Sequence, residues 1–175
     1  MWKLLSSSFA IVIFSCSLLA GCKVPPLLSY PRIWDYTRTK PKDTDLVGTY
    51  KVLKLRLPTE LNRSVRERES AITLKADRTA ILTDVPMFDG FGDTLVCRLS
   101  GSVNWELDQG FSGGLGWSLN FQHYQPATKP TTSECNYEST VWSMDILSRH
   151  APYRLYATVG DPDSDTGVEF ERVSR

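Results

Sequence analysis

The sequence predicts an all-β domain: a single eight-stranded antiparallel up-and-down barrel or strongly curled sheet, which follows a signal peptide and a tether. Beyond residue 45, apolar and polar residues alternate with a period of two in short runs that Gly, Asp and Pro interrupt. Most connections between the runs are short, so consecutive strands pair as antiparallel neighbours, and closure of the sheet removes its exposed edges. The predicted strands are residues 48–57, 70–76, 79–85, 102–107, 117–123, 140–147, 153–159 and 167–173.

Two connections between these strands are long. Residues 58–69 are charged and have room for a short helical turn, whereas residues 86–97 carry Phe88 and Phe91 around a Gly-rich centre. The composition agrees with a folded domain, because 41% of the residues are hydrophobic and 23% are charged. Since the formal net charge is zero, no polyanion-binding surface dominates the chain, and we predict no nucleic-acid partner.

Residues 1–21 have the features of an export signal. Lys3 supplies an early positive charge, and the apolar run 4–20 ends in small residues rather than in a cationic flank. At ~1.5 Å rise per residue, this run spans about 26 Å and falls short of the ~30 Å hydrocarbon core, so a structural transmembrane helix is the weaker interpretation.

The end of this signal carries a cysteine. Leu19-Ala20-Gly21-Cys22 resembles a bacterial lipobox, the signal at which the cysteine is diacylated and the chain is cut just before it. The resemblance implies a mature chain that starts at Cys22 and is anchored to a membrane through its acyl chains. Because Lys23 rather than Asp follows, it also implies, in a Gram-negative cell, the outer membrane with the domain facing the periplasm. In a Gram-positive cell it implies the outer face of the plasma membrane. The alternative is an ordinary signal peptide followed by a cysteine that is not acylated.

Residues 22–45 are predicted to be the lipid-anchored cysteine and a Pro-rich tether, and residues 46–175 the barrel domain. The tether has no period of 2 or 3.6, but it carries Tyr30, Ile33, Trp34 and Tyr36. Two interpretations of these side chains stay open. Either they pack on the domain, or they rest at the headgroup level beside the anchor, where the positive charge of the N-terminal half favours anionic lipids.

The cysteines predict one disulfide. Cys16 leaves with the signal peptide and Cys22 is acylated, so Cys97 and Cys135 remain as a pair in an oxidising compartment. The alternative, metal-ligating or redox thiols, would need a nearby C-x-x-C or His partner, which neither position has. A bridge that closes a loop of about 39 residues stabilises the domain by roughly 4 kcal/mol in the chain-entropy model.

One segment matches a hydrolase motif. Gly110-Phe111-Ser112-Gly113-Gly114 fits the nucleophile elbow G-x-S-x-G, and Asp145 and His150 follow in the chain order that α/β-hydrolases use. The elbow requires a helix after the serine, whereas the run that follows alternates as a strand. His150 and His123, at a strand end, lie in no zinc-binding spacing. We therefore predict no catalytic residue.

One turn resembles a calcium loop. Asp161, Asp163 and Asp165 alternate as its carboxylates do, and Glu169 is a further candidate ligand. Thr166 stands where that loop needs Gly, and Arg172 stands where it needs Glu. An ordinary acidic hairpin turn explains the segment better, and we predict neither a metal nor a cofactor.

The start of the domain resembles a known family. Gly48-Thr49-Tyr50 opens the first predicted strand, a long connection follows, and seven more strands come after it. This arrangement resembles the lipocalin-type (calycin) barrels, whose first strand opens with Gly-x-Trp. Tyr50 replaces their Trp, and no residue is assigned to the Arg that they carry later in the chain. The resemblance implies the fold more than any activity.

Two functions are expected, neither of them enzymatic. In the first, an envelope lipoprotein binds a small apolar ligand inside its barrel. The candidate lining residues are Trp105, Trp117, Phe121 and Trp142. In the second, these aromatics fill the interior, and the protein is a periplasmic inhibitor or immunity-type factor whose loops bind a protein partner. Ser100-Gly101 resembles a loop of lipid-anchored lysozyme inhibitors, although Asn104 stands where they have Tyr.

Overall fold

Eight antiparallel strands close into one barrel in which β8 pairs with β1. The computed structural model describes residues 35–89, 92, 94–109, 116–127, 142–161 and 166–174. The predicted all-β, eight-stranded barrel is confirmed, and each predicted run overlaps one strand. The elements are α1 (Asp43–Leu46), β1 (Gly48–Arg56), α2 (Thr59–Arg66), β2 (Ala71–Leu74), β3 (Thr79–Phe88), β4 (Leu95–Gln109), β5 (Trp117–Pro126), β6 (Trp142–Leu147), β7 (Arg154–Thr158) and β8 (Gly167–Ser174).

The antiparallel order gives the barrel two different ends. The closed end holds α1, the start of β1 and the end of β8. The mouth holds α2, the tip of the β3–β4 hairpin, the start of β6 and the start of β8. Between the two ends, the inward side chains form one continuous apolar cluster, in which Tyr50, Trp105 and Phe121 are among the largest fully buried residues.

The β3–β4 hairpin is longer than predicted. Residues 86–97 were expected to form a connection, but Pro86, Met87 and Phe88 pair with Arg98, Cys97 and Leu95. The register shifts between Leu82 and Val85, so Pro86 directly follows an irregularity of the strand. Proline is tolerated in strands beside such bulges, although it breaks the local sequence pattern.

A bulge in β5 interrupts the alternation that the sequence predicts. His123 was expected on the same face as Trp117 and Phe121, but its φ is +55° and its side chain is exposed. The register shifts here against β4, and the extra residue reverses the facing of the rest of the strand. Tyr124 therefore packs against the core instead, and its hydroxyl donates a hydrogen bond to the carbonyl of Ser100 at 3.0 Å.

The charged connection after β1 forms α2, as its room for a helical turn suggested. Val65 is the buried residue of this helix, and its other positions are exposed or half-buried. β1 pairs with β2 only from Gly48 to Lys51, so the helix lies where the two strands separate toward the mouth.

The N-terminal segment, residues 35–37, packs on the outside of the barrel. Tyr36 forms a β-bridge with Leu147, and the backbone N–H of Thr37 donates to the carbonyl of Ile146 at 3.0 Å. Tyr36, Leu147 and Tyr156 make a small buried cluster of their own. Two arrangements were predicted for the aromatic side chains of the tether, and Tyr36 adopts the one in which the side chain packs on the domain.

Candidate binding site at the barrel mouth

The closed end is filled by aromatic side chains that are hydrogen-bonded to the backbone. Trp105 is 2% exposed, and its indole N–H donates to the carbonyl of Thr79 at 3.1 Å. The Tyr50 hydroxyl donates to the carbonyl of Leu46, the last residue of α1, at 2.7 Å. Because both polar groups are satisfied internally, this end of the barrel has no need of a ligand.

Arg172 completes the closed end. It pairs with Tyr50 across β1 and β8, and its guanidinium donates to the carbonyl of Asp45 at 2.5 Å and to that of Val47 at 3.5 Å. Burial raises the pKa of Tyr50 to about 12, and the nearby Arg172 charge offsets only part of this effect. The tyrosine therefore stays neutral at physiological pH.

The mouth contains an apolar recess of about 120 Å³. The ring of Trp142 borders it and stacks on Phe121, with ring centroids 4.3 Å apart and an interplanar angle of 17°. The recess lies among β3, β6, β7 and β8. Its apolar walls come from Pro86, Met87, Phe88, Trp142, Met144, Ala157, Val159, Val168 and Phe170.

The β3–β4 hairpin forms one cover of the mouth. Gly92 lies near its tip, with a φ of +77°, and a Cβ at this position would come within 2.9 Å of both the Gly160 nitrogen and a Val159 methyl carbon. The hairpin thus touches the end of β7 across the mouth. Its turn is held by a hydrogen bond from the Asp89 N–H to the Thr94 carbonyl at 3.0 Å.

The helix α2 lies at the mouth on the side of β1 and β2, and Arg98 of β4 holds it. The Arg98 guanidinium donates to the carbonyls of Ser64 and Val65 at the end of the helix, the second at 3.3 Å. It also donates to the carbonyl of Asp84 at 3.0 Å and to the Ser70 hydroxyl at 3.4 Å. One side chain therefore links the helix to β3 and to the residue that precedes β2.

The four aromatic residues predicted to line a pocket lie in different places. Trp142 lines the mouth recess, whereas Phe121 is buried beneath it as the stacking partner. Trp105 belongs to the closed end. Trp117 is half-buried at the start of β5, where its backbone N–H donates to Thr37 and the Lys40 ammonium lies 5.3 Å from its ring centroid.

Sequence reasoning missed the other walls of the recess. Met87 and Phe88 belong to the segment predicted to be a connection. Met144 follows Trp142 by two residues on β6 but was not named as a lining residue, and no residue of β8 was assigned to a pocket. The apolar character of positions 87 and 88 was the available signal, because two large apolar residues in a supposed surface loop need a place to pack.

Several predicted site residues lie outside the described residues. They are Cys22, Phe91, Ser112, Cys135, Asp163 and Asp165. Cys97 is half-buried on β4, opposite Met87 of β3, and its bridge to Cys135 stays a prediction. Asp161 is exposed after β7.

The remaining candidates are dispersed. Glu169 is 4% exposed and forms an ion pair with Arg154 on the neighbouring strand. Asp145 is buried on β6, while His123 and His150 are exposed on different strands or connections. The described part of the chain contains no group of three or more His, Cys, Asp or Glu side chains placed to hold a metal ion.

The loop resemblance at Ser100-Gly101 falls inside a strand. Both residues lie in β4, where the Ser100 hydroxyl accepts a hydrogen bond from the Asp84 N–H at 2.9 Å. The Ser100 carbonyl accepts another from the Ala127 N–H at 2.8 Å. These groups serve the pairing of the barrel wall.

No family model, curated protein or solved structure matches this chain. Within the described ranges, no helix is long and apolar enough to cross a membrane.

Proposed function

We propose that this chain is a lipid-anchored cell-envelope lipoprotein, without enzymatic activity, whose lipocalin-like barrel holds a small apolar group in the mouth recess. The apolar recess carries the proposal. It is bordered by Trp142 and covered by the β3–β4 hairpin, whose residues 86–89 line it and whose tip reaches the end of β7. Apolar walls with few polar groups are typical of small-molecule sites.

The closed end supports the lipocalin-like part of the proposal. Gly48-Thr49-Tyr50 stands at the start of β1, and Arg172 reaches it from the last strand. Arg172 faces the aromatic residue of the Gly-x-aromatic pattern and donates hydrogen bonds to the carbonyls around α1.

The size of the recess limits the ligand. A volume of about 120 Å³ is well below the ~300–1,000 Å³ of drug-sized pockets. In this conformation the recess admits a group of a few carbon atoms, such as the end of a chain or one apolar side chain. A larger ligand requires the β3–β4 hairpin to move.

The experiment compares what copurifies with the lipidated protein and with two variants. Native mass spectrometry followed by solvent extraction measures the bound small molecule. Ala157→Trp fills the recess and should abolish the bound mass, whereas Thr83→Trp places the same side chain on an exposed position of β3 and should leave it. Ala157→Leu serves as the milder variant if the larger side chain prevents folding. A bound mass that survives both Ala157 substitutions contradicts the proposed site.

A second function is favoured by the filled interior. Tyr50, Trp105, Phe121 and Phe170 are fully buried and occupy the space that a larger ligand would need. A barrel of this kind can act through its outer surface as an inhibitor or immunity-type factor toward a protein partner. A clean apo mass in the same experiment favours this alternative.

The anchor is tested by Cys22→Ser. Acylation at Cys22 predicts that the wild-type protein sediments with membranes at high salt and that the variant moves to the soluble fraction. Cys16→Ser is the matched control, because it changes a cysteine within the signal and should leave the fractionation unchanged. A variant that remains with membranes at high salt contradicts the lipobox interpretation.

A further inference from the structure

A second recess lies on the outside of the barrel, where the N-terminal segment packs. Its volume is about 410 Å³, and Tyr36, Arg38, Thr39, Arg149 and His150 line it. Every side chain of this lining except Tyr36 is exposed. The lining contains two guanidinium groups and an imidazole but no carboxylate.

The fold brings these cations together from distant parts of the sequence. Arg38 follows the N-terminal segment, and Arg149 and His150 follow β6. A short ladder joins the two stretches: the Ser148 N–H donates to the carbonyl of Asp35 at 2.7 Å, and the Thr37 hydroxyl donates to the carbonyl of Ser148.

The floor of the recess is rigid. Tyr36 is buried between the ladder and the small cluster it forms with Leu147 and Tyr156. The Thr37 carbonyl accepts a hydrogen bond from the Trp117 N–H at 2.9 Å, so the segment is fixed to β5 as well as to β6. The cationic side chains therefore stand on a fixed backbone, which lowers the entropic cost of binding an anion between them.

We propose that this recess binds a phosphate group, and that its source is the headgroup of an anionic phospholipid in the membrane that carries the protein. Arginine forms paired, charge-assisted hydrogen bonds with phosphate oxygens, and an imidazole N–H adds a further donor. Asp35, on the same ladder, is a neighbouring carboxylate, whereas the lining itself carries two arginines and a histidine.

The lipid source rests on the proposed anchor at Cys22. Twelve residues lie between Cys22 and Asp35, and a chain of this length reaches at most about 45 Å. The recess lies at the point where the described chain meets the barrel, so a tether from an acylated Cys22 is long enough to let it touch the bilayer surface. Anionic headgroups attract cationic side chains within about a Debye length of that surface, ~8 Å at physiological ionic strength.

The test uses the full lipidated protein in detergent micelles doped with equal amounts of phosphatidylglycerol and phosphatidylcholine. Native mass spectrometry should show retained phosphatidylglycerol. The variant Arg38→Gln/His150→Gln should lose about tenfold of this adduct relative to phosphatidylcholine. Arg63→Gln, an exposed arginine of α2 at the mouth, is the control and should keep it.

Inorganic phosphate distinguishes the two sources of the anion. If millimolar phosphate leaves the phosphatidylglycerol adduct intact, the lipid headgroup is the ligand. If phosphate displaces the lipid and binds with the same dependence on Arg38 and His150, the site is a phosphate site for a soluble ligand, and the lipid assignment is overturned. Equal retention of both lipids by the wild type, or no loss in the double variant, overturns the site itself.

The failure of this site can be told apart from the failure of the anchor. The Cys22→Ser chain, purified in the same micelles, should still retain phosphatidylglycerol through Arg38 and His150. If that variant binds the lipid while fractionating with membranes as the wild type does, the recess stands and the anchor at Cys22 falls.

Discussion

Gly48 is required by the way the barrel closes. Its φ is +146°, and a Cβ there would lie 2.3 Å from the backbone oxygen of Ser174 on β8. The first position of the Gly-x-aromatic pattern therefore exists because the last strand approaches too closely for any side chain. This local sequence motif therefore reflects a contact between the first and the last strand of the barrel.

We predict that Gly48→Ala lowers the free energy of unfolding by about 1–3 kcal/mol, because the alanine must displace β8 or strain its own backbone. Urea denaturation followed by circular dichroism measures the change. Lys54→Ala, an exposed position of the same strand, is the control and should change stability by less than about 0.5 kcal/mol. Equal stability of the Gly48 variant and the control would show that β8 does not approach as described.

The raised pKa of Tyr50 predicts that the folded protein loses stability at alkaline pH. Burial raises the pKa of its hydroxyl to about 12, above the value of about 10 in an unfolded chain. The folded state therefore binds more protons between pH 10 and 12, so its stability is complete below pH 10 and falls as the pH rises to 12. The loss amounts to about 2–3 kcal/mol for a difference of two pKa units.

The measurement is the difference between wild type and Tyr50→Phe in urea denaturation at pH 8 to 12. Tyr124 and Tyr153 also have pKa values raised by burial, and this difference removes their contribution. The variant is less stable at pH 8, because it lacks the bond to Leu46, and its stability falls less steeply above pH 10. Parallel pH profiles would contradict the burial of an ionisable hydroxyl at this position.

Arg98 decides how α2 sits on the mouth. Four acceptors from three different parts of the chain share its guanidinium, and burial lowers the pKa of this group. The helix has one fully buried side chain, Val65, so hydrogen bonds to its last turn are a large part of what holds it. The position of α2 is thus fixed by polar contacts as well as by apolar packing.

We predict that Arg98→Gln loosens α2 and lowers the free energy of unfolding by about 1–3 kcal/mol, since buried carbonyls lose a charged donor. Amide hydrogen exchange should accelerate in residues 59–70 and change little in β5 and β6. Arg63→Gln removes an exposed charge from the same helix and is the matched control. Unchanged exchange in the helix would mean that Val65 packing alone positions it.

The described part of the molecule combines a filled core with several recesses, and the two that carry the proposals are separate. The apolar mouth recess and the cationic outer recess differ in lining, and they lie on different parts of the barrel. The outer recess is close to the N-terminal segment, whereas the mouth lies at the end of β3 and the start of β6.

The predicted Cys97–Cys135 bridge should raise the stability of the whole domain. Reduction removes the constraint on the unfolded chain and is expected to cost about 2–4 kcal/mol, so the melting temperature of the untreated protein should fall on addition of a reductant. The double variant Cys97→Ser/Cys135→Ser should melt like the reduced protein and be insensitive to the reductant. An unchanged melt together with two free thiols in the untreated protein rules the bridge out.

The alternation of apolar and polar residues determined most of this fold by itself. A period of two is a local property, and it located a strand in each predicted run without knowledge of the partners. Because most connections between the strands are short, consecutive strands were expected to pair as antiparallel neighbours. The helical turn in residues 58–69 was foreseeable for the same reason, because its signal lies within a dozen residues.

The binding features depended on contacts between residues far apart in the sequence. The bulge at His123 changes which residues of β5 face inward, and no single-strand pattern contains that information. The contact of Arg172 with Tyr50 across β1 and β8 is likewise absent from any local pattern. So is the position of Trp142, which alone of the four predicted aromatic residues lines the mouth recess. Periodicity is set by neighbours one or two residues away, whereas a recess is set by which strands meet when the barrel closes, and only the tertiary structure holds that geometry.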